Sequence, residues 1–407
     1  MKKIVQAWTG ISLVQRIVAG LVIGALLGMF VPSEGGIAIL GDVFVGALKA
    51  IAPLLVFFLV ISSLCYAGKS HGGVIRTVII MYMFSTFLAA IVAVTASSAF
   101  PVTLTLVDAA NDMAAPQGVA EVLRTLLMNV VTNPVQSLVS ANYIGILVWA
   151  VLIGIALRKA SDTTKQSLND ISAALSKTVT WIIQCAPFGI MGLVYNTVSV
   201  NGLSTFTEYG KLLAVLLGSM LFIYFVTNPI LVFWCIRKNP YPLIFKCLKK
   251  SAITAFFTRS SAANIPINME ACAEMGLDKD TYSVTIPLGA TINMDGAAIT
   301  ITVMTLAAAH TLGIAVDIPS AIILSILATL SACGASGVAG GSLLLIPMAC
   351  SLFGISNDIA MQIVGIGFII GVIQDSVETA LNSSSDLLLS ASAEFRQWRL
   401  EGKEIKF

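Results

Sequence analysis

The sequence predicts an all-α membrane protein with several spanning helices, and three observations lead to that fold class. The chain has 407 residues, of which 57% are hydrophobic and only 11% are charged, whereas about 25% of the residues in soluble proteins are charged. Its mean hydropathy is +0.92. Apolar stretches of about 20 residues, the length of a membrane-spanning helix, recur along the chain. No stretch resembles a soluble domain, so residues 1–407 are predicted to form one integral membrane unit.

Five apolar stretches are uniform enough to predict spanning helices, and three longer ones are less regular. The clear spans are 12–31, 43–66, 75–99, 172–197 and 211–236. The stretches 283–309 and 359–392 are long enough to span but contain polar residues. The stretch 119–158 is interrupted by TNPVQS and SANY, which predicts a helix in several pieces.

The distribution of charged residues predicts the orientation of the spans. Lysine and arginine residues fall at alternate span ends, for example at Arg158, Lys159, Lys249 and Lys250, and the intervening loops carry few cations. Because cytoplasmic loops are enriched in cations, both termini are predicted to lie in the cytoplasm. The net charge of +2 and the absence of a basic run interleaved with aromatic residues argue against a nucleic-acid partner.

Two apolar blocks in the C-terminal half are too interrupted to cross the membrane. The blocks 251–273 and 318–353 contain RSSAANIP (259–266) and CGASGVAGG (333–341) at their centres. Because Lys250 and the C-terminal tail are both predicted to be cytoplasmic, only an even number of crossings fits between them. Two re-entrant hairpins, each followed by a spanning helix and entering from opposite sides, satisfy this count. Such inverted repeats place substrate and ion sites near the membrane midplane of transporters.

The segment DSVETALNSSSD (375–386) places three carboxylates directly after the apolar run IVGIGFIIGVI. At about 100° per residue, one helical face carries its polar side chains: Asp375, Glu378, Thr379, Asn382 and Asp386. Charged side chains inside a membrane are costly and normally face a cavity with a partner. The segment therefore predicts a binding site, with a buried structural network or a helix end in water as the alternatives.

A second polar cluster, GATINMDGA (289–297), lies inside the apolar stretch 283–309. Asn293, Asp295 and the glycines are expected to interrupt the helix and to release backbone carbonyl oxygens beside a carboxylate. Oxygen ligands with one or two negative charges suit a hard cation such as sodium. A helix kink packed by glycine is the alternative.

The tips of the two predicted hairpins carry weaker signals. Ser260 and Ser261 could hold a carboxylate through hydroxyl and backbone N–H groups. The glycine run 333–341 could do the same while moving, since glycine gives hinge freedom. Its alternative role is the close packing of helices through small residues.

Two further sets of polar side chains lie at predicted membrane depth. Arg259 is a lone cation there, so either Glu378 is its partner or its guanidinium reaches the cytoplasmic surface. Tyr82, Ser85 and Thr86 share one helical face, and on their own they indicate ordinary hydrogen bonds between helices.

Four motifs together resemble those of the dicarboxylate/amino-acid:cation symporter family. They are SSAANIP, LGATINMDGAA, GASGVAGG and TALNSSSD, which are similar to its hairpin one, helix seven, hairpin two and helix eight. Within the family the sequence is most similar to the bacterial sodium/serine-threonine symporters. The resemblance implies eight transmembrane helices with two re-entrant hairpins, a homotrimer in the bacterial inner membrane, and elevator-like transport. A transport part (about 75–99 and 211–392) would slide against a scaffold part (about 12–66 and 119–197).

The resemblance also implies roles for individual residues, with sodium as the coupled ion. Asp375 would hold the substrate ammonium, and Ser261 with the backbone near Val338 would hold the carboxylate. The other substrate-binding positions would be Ser260, Gly340, Glu378, Thr379 and Asn382. Sodium would bind at Gly289, Asn293, Asn382 and Asp386, at Thr291, Ala332, Cys333 and Ala335, and at Tyr82, Ser85, Thr86, Asn293 and Asp295.

Two positions differ from the family pattern and bear on the substrate. Members that carry acidic substrates have an arginine at the position of Glu378, and an anion there would repel aspartate or glutamate. Gly371 stands where the family has a second aspartate, which leaves the third sodium site open. The sequence therefore predicts sodium-coupled uptake of serine and threonine. A sodium- or proton-coupled carrier of acidic amino acids or C4-dicarboxylates is the alternative.

Other classes of membrane protein fit the sequence less well. An intramembrane protease would need paired catalytic groups, but the chain has no GxGD or GxSxG motif and neither histidine accompanies a candidate serine. An ion channel would not require two hairpins with distinct polar tips, which favour alternating access. The chain is therefore expected to be a transporter and not an enzyme.

Overall fold

The computed structural model describes residues 11–31, 36–66, 73–106, 128, 131–333, 335 and 340–405. All regular secondary structure in these ranges is helical, as the sequence predicts. The helices are α1 Leu13–Phe30, α2 Ala38–Tyr66, α3 Gly73–Ala99, α4 Pro134–Val139, α5 Tyr143–Ala156, α6 Asp162–Gln184, α7 Ala186–Asn201, α8 Thr205–Phe222, α9 Asn228–Ile236, α10 Tyr241–Cys247, α11 Ile253–Thr258, α12 Ser261–Glu274, α13 Lys279–Ile292, α14 Asp295–Thr311, α15 Ile318–Ala332, α16 Ile346–Ser351 and α17 Asn357–Leu400.

Six helical stretches in the described part of the chain are long and apolar enough to cross a membrane, and a bent pair of helices could add a seventh. Helices α1, α2 and α3 confirm the helices predicted at 12–31, 43–66 and 75–99. The stretch Thr205–Ile236 contains the predicted helix at 211–236.

The span predicted at 172–197 consists of two helices in the structure and not of one. The chain forms α6 and α7 there, which are bent by 55° relative to each other at Cys185. Pro187 occupies the first turn of α7, where its missing N–H is tolerated, whereas inside a continuous helix it would remove a backbone hydrogen bond. Helix α1 lies against this bend, and a Cβ added at Gly20 would be 2.1 Å from the Pro187 carbonyl oxygen.

The stretch Thr205–Ile236 accommodates a proline without ending. A π-helical turn, Ile223–Thr227, joins α8 to α9 just before Pro229. Proline leaves the carbonyl four residues earlier, at Phe225, without its helical donor. The hydroxyl of Tyr241 donates to that carbonyl at 3.2 Å, which satisfies it.

The interruption predicted within 119–158 is confirmed where the structure describes it. Helices α4 and α5 are separate, and their N-termini are capped by the side chains of Asn133 and Asn142. These asparagines belong to the two polar segments that interrupt the stretch. Most of 119–130 lies outside the described residues.

The two less regular apolar stretches have different structures. The stretch 283–309 is divided into α13 and α14 by non-helical residues at Asn293 and Met294, which confirms the predicted interruption. The stretch 359–392 lies within a single helix, α17, which continues for 44 residues and whose polar side chains are buried among other helices.

The block 251–273 forms two helices joined by a short turn. A π-helical turn, Leu248–Ala252, leads into α11, which ends where Arg259 adopts a left-handed conformation with φ of 50°. Helix α12 begins two residues later, so the interruption is shorter than the predicted 259–266. In 318–353, α15 is followed by a 3₁₀ turn, Ser342–Leu345, and α16, with 334 and 336–339 outside the described residues.

Helix α17 occupies the centre of the C-terminal part of the molecule. It packs against α9, α11, α12, α13, α14 and α16, while α3 packs against α14 and α15. The N-terminal helices form a separate group, in which α1 and α2 pack against α7, and α2 also packs against α5 and α6. Most of α17 is therefore enclosed by the C-terminal helices, while α1 and α7 lie beside its Asp375 end.

Candidate functional site

The polar face predicted on α17 is buried along its whole length. Its five predicted side chains are at most 6% exposed: Asp375, Glu378, Thr379, Asn382 and Asp386. Burial of carboxylates at this depth requires hydrogen bonds or counter-charges. Each of the three acids has a different set of partners.

Asp375 pairs with Arg259, which corrects the predicted partnership between Arg259 and Glu378. The Arg259 Nε lies 3.3 Å from Asp375 Oδ2, and the Gly340 N–H donates to Asp375 Oδ1 at 3.2 Å. Arg259 is 8% exposed, so its guanidinium does not reach a membrane surface either. The left-handed turn that ends α11 directs the Arg259 side chain toward α17, and Asp375 therefore joins the 259–260 turn to the segment at Gly340.

Glu378 is held by neutral donors. Its Oε2 accepts hydrogen bonds from Thr300 Oγ1 at 2.7 Å, from Ser342 Oγ at 2.9 Å and from the side-chain amide of Gln374. A Cβ added at Gly296 would lie 2.8 Å from Glu378 Cγ, so glycine is needed for this close approach of α14. Glu378 is thus fixed between α14 and the Ser342–Leu345 turn.

Thr379 and Asn382 lie between the two carboxylates at either end of the polar face and bond to backbone groups. Thr379 Oγ1 donates to the Asp375 carbonyl at 2.8 Å within its own helix. Asn382 Oδ1 accepts from the Gly296 N–H at 2.7 Å, one of the N–H groups at the start of α14 that lack a helical partner. Asn382 therefore ties α17 to the break between α13 and α14.

Asp386 lies beside that same break and has an incomplete set of partners. Asn293 Nδ2 donates to Asp386 Oδ1 at 2.9 Å, and the Tyr82 hydroxyl donates to the Asp386 carbonyl at 2.9 Å. Asp386 Oδ2 and Asn293 Oδ1 are buried and have no hydrogen-bond partner among the described residues. A Cβ at Gly289 would lie 2.8 Å from Asp386 Oδ1, so the glycine keeps room for these oxygens. Unpaired buried oxygens are the donors that a sodium ion requires.

Asp295 begins α14 on the other side of the break and is held by α3. Ser85 Oγ donates to its Oδ2 at 2.8 Å, and Thr86 Oγ1 donates to its Oδ1 at 3.2 Å. The structure therefore brings together Ser85, Thr86 and Asp295 of the predicted set, while its other two members, Tyr82 and Asn293, contact Asp386. Position 371, where the family has a further aspartate, is a buried glycine of α17.

The second predicted sodium set lies where α13 and α15 end near each other. Cys333 Sγ is 3.7 Å from the Ile292 carbonyl oxygen, which brings the residue after α15 to the end of α13. The Thr291 side chain is exposed and bonds to the Leu288 carbonyl of its own helix at 2.8 Å. Ala332 and Ala335 are buried beside Cys333.

The predicted serines occupy the start of α12. Ser260 caps this helix by accepting a hydrogen bond from the Ala263 N–H at 3.2 Å, and Ser261, the first helical residue, is buried. Val338 lies outside the described residues.

Sequence reasoning missed several buried polar residues that hold the site together. Gln374 and Thr300 form part of the Glu378 contacts described above, and Asn264 and Asn268 bond to Ser383 of α17 at 2.8 and 2.9 Å. Asn264 and Asn268 are four residues apart within an apolar block. That spacing, which puts both amides on one helical face, was the signal that could have found them.

A small cavity lies between the Asp375 cluster and the N-terminal helices. It is lined by Asp375, Arg259 and Gly340 on one side and by Ile17 and Ile190 on the other. Its volume is about 20 Å³, which is room for about one water molecule. The site is therefore closed in this structure, at the boundary between the two groups of helices.

The chemistry of the site is that of binding. Among the described residues, no group of three His, Cys, Asp or Glu side chains is arranged to hold a metal ion. The available groups are carboxylates, hydroxyls, amides and backbone carbonyls, which suit a zwitterion and a hard monovalent cation and offer no activated nucleophile.

Comparison with known proteins identifies the class. The family model of the sodium:dicarboxylate symporter family matches residues 13–394. A relative in Streptococcus thermophilus named serine/threonine transporter SstT is 56% identical over 400 residues, covering 98% of this chain and 100% of the relative. Proteins of the same name in Bifidobacterium adolescentis and Streptococcus agalactiae are 55% and 56% identical, covering 100% and 97% of this chain and 94% and 98% of their own lengths.

These relatives are named transporters, and the family is one of symporters and not of enzymes, which confirms the class predicted from the sequence. The apolar helices of the fold agree with a multi-pass membrane protein. The chain belongs to the sodium:dicarboxylate symporter family.

Proposed function

We propose that this chain is a symporter that couples the uptake of serine and threonine to sodium. Full-length relatives that carry the name serine/threonine transporter support the substrate class. The observation that carries the proposal is the buried Asp375, which already binds a cationic group, the Arg259 guanidinium, beside a closed cavity. A carboxylate in that setting can bind the ammonium group of an amino acid instead.

A zwitterion is the ligand that this ion pair can exchange for. Removing one partner of a buried ion pair leaves an uncompensated charge, at a cost of about 3–5 kcal/mol. A substrate ammonium at Asp375 replaces the charge of Arg259, and the substrate carboxylate compensates the displaced guanidinium. Since both charges come with one molecule, neither Asp375 nor Arg259 has to remain unpaired.

The remaining substrate groups are assigned to residues around Asp375. We propose that the substrate carboxylate also binds to Ser260, Ser261 and the backbone from Val338 to Gly340. The substrate hydroxyl is assigned to Thr379, Asn382 and Glu378. Because the present cavity holds about one water molecule, these contacts require the site to open, with Gly340 and Arg259 releasing Asp375.

Glu378 argues against an acidic substrate at this site. It is a second buried carboxylate on the face of α17 that carries Asp375, and it is held by neutral donors. The additional carboxylate of aspartate or of a C4-dicarboxylate would lie beside Asp375 and Glu378, while Arg259 is already assigned to the first substrate carboxylate. Like charges in a low-dielectric site repel strongly, so a neutral hydroxyl side chain is preferred.

Sodium is the proposed co-transported ion. The unpaired oxygens of Asp386 and Asn293 support a first site there, with Asn382 and the Gly289 backbone as further ligands. A second site is assigned to the backbone of Thr291, Ala332, Cys333 and Ala335. A third would use Tyr82, Ser85, Thr86, Asn293 and Asp295. One sodium ion supplies enough free energy to accumulate a net-neutral amino acid. A membrane potential of about 100 mV contributes roughly 2.3 kcal/mol, and a tenfold sodium gradient contributes about 1.4 kcal/mol.

The proposed mechanism is elevator-type alternating access. The transport part would comprise about 75–99 and 211–392, and the scaffold part about 12–66 and 119–197. The grouping of helices in the fold and the closed cavity between the groups support this division. The full topology would be eight spans and two re-entrant hairpins, which are the helical pairs α11–α12 and α15–α16, in a homotrimer of the bacterial inner membrane with both termini cytoplasmic.

Uptake by reconstituted vesicles tests this proposal. Proteoliposomes with an imposed inward sodium gradient are expected to accumulate labelled serine, and unlabelled threonine should compete whereas aspartate and succinate should not. Uptake that is indifferent to sodium would contradict the coupling. Competition by aspartate or succinate equal to that by threonine would favour the alternative carrier of acidic substrates.

A further inference from the structure

An apolar groove runs between α3 and α8. Its volume is about 1040 Å³, and none of the predicted substrate or sodium residues lines it. One wall is the face of α3 that carries Ala96 and Ala99, and the other is the face of α8 that carries Lys211, Ala214 and Gly218. Small side chains on both faces leave the space between the helices unfilled.

The polar groups of the groove, apart from Lys211, are satisfied within their own helices. Thr95 Oγ1 donates to the Ile91 carbonyl at 2.9 Å, and Ser219 Oγ donates to the Val215 carbonyl at 2.7 Å. These helical hydrogen bonds leave the walls apolar, so the groove favours a hydrocarbon ligand.

Lys211 is the charged group at one end of the groove. The nearest acid along the helix, Glu208, accepts hydrogen bonds from Thr105 N at 2.8 Å and from Thr105 Oγ1 at 3.0 Å. Lys211 itself is exposed and forms no ion pair with any residue that the structure describes. An anion is therefore the complementary group for this end.

The length and position of the groove fit one membrane leaflet. From Lys211 to Phe222 it extends about 16 Å along α8 at 1.5 Å per residue, close to half of the roughly 30 Å hydrocarbon core. Both walls belong to candidate spans, Gly73–Ala99 and Thr205–Ile236. Phe100 and Phe222 at the rim are 69% and 48% exposed, so lipid around these two spans can reach the groove.

We propose that this groove binds an anionic phospholipid, with an acyl chain between α3 and α8 and the headgroup at Lys211. Apolar walls one leaflet long can contact the acyl chain along its length, and inside the membrane, where the hydrophobic driving force is absent, van der Waals packing favours this contact. A single lysine at the end selects for the anionic headgroup.

Native mass spectrometry of the purified full-length protein tests this site, with phosphatidylglycerol and phosphatidylcholine of identical acyl chains as probes. The wild type is expected to retain phosphatidylglycerol in preference. Lys211→Gln should lower the ratio of retained phosphatidylglycerol to phosphatidylcholine about fivefold, the factor expected for one lysine near an anionic surface. Lys177→Gln, at an exposed lysine of α6 far from the groove in sequence, is the control and should leave the ratio unchanged.

A second variant tests the acyl-chain position independently of charge. A Cβ at Gly218 meets no heavy atom within 4 Å, so Gly218→Leu extends into the groove and should lower the retention of both lipids. Gly210→Leu, on the same helix and also in open space, should retain both at wild-type levels. Equal lipid retention in all four variants would overturn the proposal, and it is also the result expected if residues 107–127 or a second copy of the chain fill the groove.

Discussion

Asp375 and Asp386 lie on the same face of one helix, yet the structure compensates their charges in opposite ways. They are eleven residues apart, about three turns or roughly 16 Å of helix. Asp375 has a cation, because Arg259 Nε lies 3.3 Å from its Oδ2 in an ion pair, although this oxygen accepts no hydrogen bond from the described residues. Asp386 has a single amide donor, Asn293, at 2.9 Å, and its Oδ2 has no hydrogen-bond partner among the described residues.

The difference indicates how each end of the polar face would accept a ligand. Because Asp375 is already paired, a ligand there has to displace Arg259 and has to bring compensating charges of its own. A cation at Asp386 has nothing to displace, and it would remove the cost of a buried carboxylate without a counter-charge. We therefore expect sodium to bind in the absence of serine, and serine binding to require rearrangement of the 259–260 turn.

The largest effect is expected from Asp375→Asn, which removes the charge and preserves the size of the side chain. Serine uptake by proteoliposomes should fall about 100-fold or more, because the lost ion-pair partner is worth about 3–5 kcal/mol. Sodium binding at Asp386, measured by calorimetry without serine, should persist.

A carboxylate on the same helix provides the control for Asp375→Asn. Asp358 is exposed and pairs with Lys49 near the start of α17, and exposed pairs contribute little. Asp358→Asn should therefore keep serine uptake within about twofold of the wild type. Wild-type uptake in Asp375→Asn would show that Asp375 does not bind the substrate.

The next largest effect is expected from Asp386→Asn. The sodium concentration that gives half-maximal serine uptake should rise about tenfold or more, because the variant lacks the charge that attracts the ion. Uptake should recover at saturating sodium, since Asp375 is intact. This separation of sodium dependence from serine binding is the sharpest test of the comparison.

Glu394 of the same helix is the control for Asp386→Asn, since its Oε1 accepts a hydrogen bond from the Asp278 N–H at 2.7 Å. Glu394→Gln should leave the half-maximal sodium concentration unchanged. If Asp386→Asn and Glu394→Gln had the same sodium dependence as the wild type, Asp386 would be a structural acid only.

A smaller effect is expected from Arg259→Gln, measured as the thermal stability of the purified protein. Without Arg259, Asp375 is unpaired in the serine-free protein, and on the proposed exchange of partners the serine carboxylate is unpaired in the serine-bound protein. The Tm should therefore fall both without and with serine.

Arg237 is a matched control for Arg259 because both arginines end a helix in the left-handed conformation, with φ of 56° and 50°. Arg237 is exposed, so Arg237→Gln makes the same substitution at a left-handed position without removing a buried ion pair. Equal Tm changes in the two variants, with and without serine, would mean that Arg259 does not compensate Asp375.

The smallest effect is expected from Glu274→Gln, which removes an exposed ion pair with Lys250 at 2.7 Å. The hydrogen bond from Lys250 lowers the pKa of the Glu274 carboxyl below its usual value. The pair therefore stabilises the fold at pH values above the usual pKa, and this contribution is lost as the pH falls through the lowered pKa. Serine uptake should stay within about twofold of the wild type. Any Tm difference should disappear at acidic pH, and one that grows there would contradict the assignment.

Local patterns in the sequence were sufficient for most of the helices. The length of the apolar stretches predicted α1, α2 and α3. Asn293, Asp295 and the neighbouring glycines predicted the break between α13 and α14, because asparagine, aspartate and glycine disfavour a continuous helix. The bend at Cys185 was missed, since the apolar pattern continues through it. It depends on Pro187 and on the close approach of Gly20, which belongs to another helix.

The partner of Arg259 shows what a local pattern cannot determine. Asp375 and Glu378 are three residues apart on one helical face, and both are acids far from Arg259 along the chain. Which of them pairs with the guanidinium depends on the left-handed turn after α11 and on Thr300, Ser342 and Gln374, which already hold Glu378.

The sequence by itself determined the helical membrane fold, the polar face of α17 and the break in 283–309, because hydrophobicity, helical periodicity and residue propensity act over a few neighbouring residues. Only the tertiary structure decided which charges are paired. Ion pairs and hydrogen bonds join atoms that the packing of distant helices brings within about 3 Å. Packing therefore pairs Asp375 with Arg259, whereas Asp386 and Asn293 each have an oxygen without a hydrogen-bond partner among the described residues.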